Sequence, residues 1–221
     1  MTHSVKLVSV TQGAAELLGK SAQELVAYTA RVSNPTNQMN SETAPRLLAY
    51  LIKHKHFSPF EMAHATLEIT TSRAIAAQIL RHRSFSFQEF SQRYAEVMDV
   101  VEYPARRQDV KNKQNSIDDM SEADKAFFAA AQYEIKEKSM ELYKEALQRG
   151  VAKEQARFLL PLATQTKLYM CGSLRSWIHY CEVRCDASSQ KEHREIALAA
   201  RAVLSEQFPD VAEALGWNHT F

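Results

Sequence analysis

Five glycines and six prolines are spread over 221 residues, so this chain has few places to reverse direction sharply. Long helices should dominate over tight β-turns. The longest such stretch opens at Ser121, a helix N-cap, and runs to Gly150, which suits a C-cap. Ser21-Ala22-Gln23-Glu24 is a capping box that opens a helix over 21–32, broken at Asn34-Pro35. A second helix spans 41–55, and Ser72 caps a third over 73–83. Further helices follow over 153–160, 174–184 and 190–208. Alternation predicts strands at 6–10, 66–70, 96–103 and 166–170. The polar run 106–119 has no period and reads as a mobile loop. Strands fall irregularly among the helices without a βαβ repeat. The sequence therefore predicts an α+β fold, a single domain over 1–221 with long helices packed on a small mixed or antiparallel sheet.

Hydrophobic residues make up 45% and charged residues 24% of the chain, which is ordinary for a globular protein with a buried core. The formal net charge of +1 argues against a wholesale nucleic-acid binder, so any anion site must come from local clustering. No stretch approaches a membrane span, and the first ten residues lack the apolar core of a signal peptide. Cys171, Cys181 and Cys185 are an odd number packed into one region, which suits free thiols in a reducing compartment. The expected setting is the cytoplasm, or a host cytoplasm for a viral source, with no nucleic acid and no membrane as partner.

One local cluster stands out. Residues 81–94 read RHRSFSFQEFSQRY, with Arg81, His82, Arg83 and Arg93 interleaved with three Phe and a Tyr. Arginine keeps its charge, and its planar fork matches phosphate or carboxylate. On a helix over 73–83, Gln78, Arg81 and His82 share one face. On an extended backbone, Glu89, Ser91 and Arg93 alternate to one side. Such a lining suits a nucleotide, with phosphate and base edge both satisfied. The residues alone also admit a solvated basic helix end beside a Phe-rich core strand.

The order of these residues resembles the signature of the flavin-dependent thymidylate synthases: Arg81-His82-Arg83, seven residues, then Ser91-Gln92-Arg93. The segment from His54 to His56, Phe57, Ser58, Pro59, Phe60 and Glu61 resembles the family's upstream block. Gln78 precedes the signature at the family's spacing. Downstream, Ala156-Arg157-Phe158-Leu159-Leu160-Pro161-Leu162, Gly172-Ser173-Leu174-Arg175-Ser176-Trp177-Ile178-His179 and Arg184-Cys185-Asp186 resemble its later blocks. Matches run in the expected order from about Ala30 to about Ala200.

The resemblance implies synthesis of dTMP from dUMP. Methylenetetrahydrofolate supplies the carbon, FAD carries a hydride from NADPH, and no enzyme thiol activates the uracil. By that similarity Gln78, Arg81, Glu89, Ser91, Arg93, Arg157 and Arg184 hold dUMP, with Arg157 and Arg93 on its phosphate. Arg184 takes the catalytic position beside the uracil, where a fixed cation stabilises the ionised base. FAD lies against His56, Ser58, Glu61, Arg81, His82 and Arg83. Its remaining contacts are Ser84, Glu89, Ser173, Arg175 and His179, of which Ser173 and His179 stand where some relatives carry Asn.

Helix geometry adds a separate expectation. On one helix over 174–184, Arg175 and His179 share a face while Arg184 points away, about 13 Å further along. Two faces serving two pockets require neighbouring subunits, which fits the homotetramer with shared sites that the resemblance implies.

Other constellations compete with this one. His54, His56, His64 and His82 match no zinc template; in a second candidate set, His179, Cys181, Cys185 and His193, the two cysteines align with Leu174 and Ile178 on an apolar stripe, so no metal is expected. Arg106-Arg107 reads as a solvated loop pair. Phe127, Phe128, Ile135, Leu142 and Leu147 read as packing residues, and Trp177 and Trp217 as core or interface. An RNA-binding module and a metal hydrolase are the rival classes. The first predicts salt-steep RNA binding without flavin, the second loss of activity to chelators.

Overall fold

Two central strands that each run without a loop into a helix organise the molecule. The computed structural model describes residues 3–97 and 99–217. In chain order the strands are β1 (Ser4–Val10), β2 (His64–Ser72), β3 (Ser86–Glu89), the two-residue β4 (Arg107–Gln108) and β5 (Ser116–Ile117), and β6 (Gln165–Ser173). The helices are α1 (Ala22–Ala30), α2 (Ala44–Lys53), α3 (Arg73–Ile79), α4 (Glu122–Gln148), α5 (Lys153–Ala156), α6 (Leu174–Arg184), α7 (Lys191–Gln207) and α8 (Pro209–Ala214). The larger sheet has the order β1-β2-β6-β3 and is antiparallel throughout, which makes the fold α+β. Among the described residues no helix is long and apolar enough to cross a membrane.

Register explains which face is covered. Ala65 pairs with Gly172, Leu67 with Met170 and Ile69 with Leu168, so alternate residues of both strands turn to one side. These six are buried, and they meet Trp177, Ile178 and Tyr180 of α6 and Ile196, Ala200 and Leu204 of α7 in one core. Glu68 and Tyr169 face the other way, the Tyr169 hydroxyl donating to Glu68 at 3.0 Å.

β2 ends at Ser72, which is also the N-cap residue of α3. β6 ends at Ser173, whose hydroxyl accepts from Ser176 N–H to cap α6. Because the two strands are antiparallel, these helices start at opposite ends of the sheet and run toward each other. The turn that follows α3 reaches the last residue of α6, Arg184 Nε donating to His82 Nε2 at 2.9 Å.

Gly172 sets how closely the signature approaches. A Cβ there would lie 2.4 Å from the Phe85 ring, and that ring packs edge-on against Trp177 with centroids 4.7 Å apart. Gly172→Ala should therefore cost about 1–3 kcal/mol through overpacking. Urea melting measures it, and a variant as stable as wild type would contradict the close packing.

The Ser21 capping box, the Ser121 cap and the helix over 174–184 are present as expected, and Gly150 follows α4 at φ +85°. Several expectations need correction. The helix over 73–83 stops at Ile79, and Arg81 and His82 continue in turns closed by bonds to the Gln78 and Ile79 carbonyls. β3 ends at Glu89 and Tyr94 N–H turns back to the Ser91 carbonyl, so Ser91 and Arg93 do not extend an alternating strand. The strand over 96–103 is reduced to one bridge, Val100 to Thr164; position 98 lies outside the described residues. The helix over 153–160 breaks into α5 and a 3₁₀ turn, Arg157–Leu159.

The run 106–119 carries the β4–β5 ladder, clamped by the fork of Arg107 on Asp119. Arg106 is not a solvated loop charge: it is buried and pairs with Glu192 on α7. On α4, Phe127, Phe128, Ile135 and Leu142 are exposed rather than packed; Leu147 joins a small second core with Tyr143, Val97 and Ala156. Trp177 is fully buried, and Trp217 packs on the main core.

Candidate active site

Three segments bring polar groups to one cleft of about 470 Å³. The turn Ser58–Met62 supplies Glu61, the signature turn supplies Ser84, and α6 supplies Arg175, Ser176, His179 and Glu182, with Phe57 and Ile178 as apolar walls. Capping order places Arg175 and His179 one turn apart on the outer face of α6, while Leu174, Trp177, Ile178 and Cys181 face the core. Glu61 fixes the cleft's electrostatics. It accepts from the Ser173 hydroxyl and, at 2.8 Å, from Arg175 Nη1. The Ser173 bond, and then Arg175, hold its carboxyl below the usual carboxylate range. Ser173 is buried and committed to Glu61 and to its helix cap. His56 and Ser58 stand exposed on the approach to this turn.

A second cluster forms where α3 and α6 meet. Arg184 spends Nε on His82, leaving both Nη groups for other partners. Burial, then the Arg184 cation, with His179 and Arg81 near it, lowers the His82 pKa to about 4. Behind it lies His193, fully buried on α7, whose pKa falls to about 3 through burial and then the charges of Arg184 and His82. Gln78 Oε1 reaches His193 Nδ1 at 3.3 Å. The His193 ring also stands edge-on to His82, with centroids 6.1 Å apart, so Gln78 and His82 share one buried neighbour that the signature does not contain. Arg81 and Arg83 are exposed, without an ion-pair partner among the described residues.

The other sequence-selected residues gather at the far end of α3. Glu89 accepts from Arg73 at 2.6 Å and from Thr166 at 2.9 Å. Arg73, Gln92 and Arg157 line a cleft of about 320 Å³ together with Phe158, Pro161 and Leu162. Arg157 lies over the Phe158 ring, and Arg93 binds Glu154 at 3.1 Å. Ser91 is exposed beside them. Arg73 escapes sequence reading because its partner is 16 positions away, beyond any local period.

Within α6, Arg175 serves the first cleft and Arg184 the second cluster, so the opposed faces expected from helix geometry are present. Cys181 is buried on the core side of α6, Cys185 packs partly against that core, and Cys171 lies in β6. No three His, Cys, Asp or Glu groups converge as a metal set among the described residues.

The neutral histidines set a pH dependence. The folded chain holds His82 uncharged, whereas the unfolded chain takes up a proton as pH falls below 6.5. The stability this contributes is fully present above 6.5 and is lost as pH falls toward about 4. Urea melts across that window should show the loss, and His82→Asn should reduce it, leaving the part that His193 contributes. A variant with the wild-type pH profile would exclude this cause.

These elements define an α+β fold with a cleft lined by groups of both charges, Arg175 beside Glu61 and Glu182. The family model described as thymidylate synthase complementing protein matches residues 15–210. A relative from Paramecium bursaria Chlorella virus 1, named a probable flavin-dependent thymidylate synthase, is 54% identical over 215 residues, covering 97% of this chain and 99% of its own. The flavin-dependent thymidylate synthase of Synechocystis sp. is 56% identical over 215 residues, covering 96% and 99%. The crystal structure of the UMP/dUMP methylase PolB from Streptomyces cacaoi, bound with 5-Br dUMP, shares the fold at a TM-score of 0.82 with 24% identity, over 97% of this chain and 95% of that one. The chain belongs to the flavin-dependent thymidylate synthase family.

Proposed function

We propose that the chain, acting as one catalytic unit over 1–221, makes dTMP from dUMP in the cytoplasm. Methylenetetrahydrofolate is the carbon donor and NADPH the reductant, through FAD. The observation that carries this reading is the convergence of Glu61, Ser84, Arg175 and His179 on one cleft, with Arg184 and His82 on the adjoining turn. Those groups fit a flavin dinucleotide: Glu61 can only accept, while Arg175 has one nitrogen tied to Glu61 and the rest of its fork free to donate. FAD, when bound, supplies the hydride-carrying redox chemistry. The names of the viral and Synechocystis relatives, and the 5-Br dUMP in PolB, agree with this substrate.

The chain's own groups then bind and polarise. Arg184, held by neutral His82, presents a fixed cation to the uracil and stabilises its ionised form without giving up a proton. Arg157 and Arg93 offer charge to the phosphate. These two sets sit at opposite ends of α3, and exposed Phe127, Ile135, Phe158 and Leu162 leave apolar surface uncovered. In this reading four chains assemble so that the Arg157 end of one meets the Arg184 end of another, which the uncovered apolar surface supports.

The test supplies purified protein with FAD, dUMP, methylenetetrahydrofolate and NADPH and measures dTMP. Flavin absorbance that bleaches with NADPH, and dTMP formed only with all partners, are expected. Colourless protein that takes up no FAD would overturn the reading.

A further inference from the structure

One chain of hydrogen bonds behind the second cluster has a forced direction. Glu192 pairs with Arg106 at 2.5 Å, both side chains more than nine-tenths buried. A carboxylate accepts only, so the amide nitrogen of Gln190 must face it; Gln190 Nε2 donates to Glu192 Oε2 at 2.9 Å. That turns Gln190 Oε1 to Gln78, whose Nε2 donates to it at 2.6 Å. Gln78 Oε1 consequently faces His193 Nδ1 at 3.3 Å, and this ring nitrogen must carry the proton. Nε2 of the same ring is left to accept from the Tyr180 hydroxyl at 3.1 Å. The ring is fully buried and uncharged, so it holds one proton and cannot donate from both nitrogens. Reversing any amide in this series would set two donors or two acceptors face to face.

We propose that Glu192, Gln190 and His193 are positioning residues that lock the Gln78 amide, leaving its second N–H as a donor for the nucleotide. This rests on the reading of Gln78 as a dUMP contact. The ligand atom opposite Gln78 is then an acceptor, either a pyrimidine carbonyl or a phosphate oxygen, and not the N3–H of the base. A free glutamine amide could turn over and offer either end; one tied down through Oε1 offers only N–H.

Two substitutions of the same ring separate this role from simple packing. In His193→Asn the amide nitrogen falls where Nδ1 was and can still donate to Gln78. In His193→Gln the amide reaches the Nε2 position and leaves Gln78 Oε1 unanswered. On FAD-loaded protein, Asn should keep dUMP affinity within about threefold of wild type and Gln should lower it about tenfold, the worth of one oriented hydrogen bond. FAD content and melting temperature are measured on both. Equal affinity in the two variants, whether retained or lost, overturns the proposal.

Deoxyuridine, which lacks the phosphate, distinguishes the acceptors. If its binding also falls in His193→Gln, the acceptor is a base carbonyl; if only dUMP binding falls, it is the phosphate. Wild-type protein that fails to bind dUMP at all would remove the functional reading rather than this inference. Neutron diffraction of the FAD-loaded wild-type protein needs no variant: a proton on His193 Nδ1 is expected, and one on Nε2 overturns the proposal.

Discussion

Arg184→Ala should lower dTMP formation about 10²–10³-fold, the usual cost of losing one preorganised donor to developing negative charge. Arg184→Lys should recover only part of that, because an ammonium restores a point charge and neither the fork nor the bond to His82. Flavin reduction by NADPH should stay near the wild-type rate in both, since Arg184 does not line the cleft that holds Arg175 and His179. Arg157→Ala should instead weaken dUMP binding first. Measuring the half-reaction, dUMP affinity and dTMP turnover on the same FAD-loaded protein separates these effects. Wild-type turnover in Arg184→Ala would show that Arg184 has no catalytic part. Mixing Arg157→Ala chains with Arg184→Ala chains after dissociation should restore some turnover, because sites built from two subunits regain one intact pair.

Glu192→Leu should destabilise the fold by about 3–5 kcal/mol, since it leaves the Arg106 cation buried without its partner. Arg106 is already the costly member: its Nε and Nη1 find no acceptor among the described residues. In a chain of this size the loss corresponds to roughly 10 °C in melting temperature. The double variant Arg106→Met with Glu192→Leu should recover most of it, because two apolar side chains remove both desolvation costs together. Denaturant melts of the FAD-loaded protein read the difference. A single variant as stable as wild type would show that the pair is not isolated from water.

The parts of the fold legible in the sequence are those whose signal is local and repeated. Ser21 and Ser121 announce their helices because a capping hydroxyl must lie next to the N–H groups it serves. The helix Leu174–Arg184 and the strands around Leu67 and Leu168 show their buried sides as periodicity. Signals fail where an element is too short to have a period, as in β4, β5 and the four residues of β3. They also fail where a distant contact decides. The helix from Arg73 stops at Ile79 rather than running on to Arg83, and Phe85 beyond the turn packs on Gly172, 87 positions later in the chain.

Within the candidate site, Glu61, Arg175, His179 and Arg184 follow from motif order. The partners that hold the site's residues do not. Arg73 behind Glu89 and the series from Glu192 to Tyr180 behind Gln78 join segments up to 115 positions apart.

The absence of a loop after β2 and after β6 bears on how such a site can respond to its ligands. A helix that follows directly on a hydrogen-bonded strand has no hinge between them, and here Arg184 of α6 is also bonded to His82 in the turn after α3. Arg175, His179 and Arg184 consequently travel with the sheet as a single stiff block. In the proposed reaction, adjustment to an arriving nucleotide or a departing product would fall to the connections that carry Ser91 and Arg157, since Glu61 is bonded to Ser173 and Arg175 of the block itself.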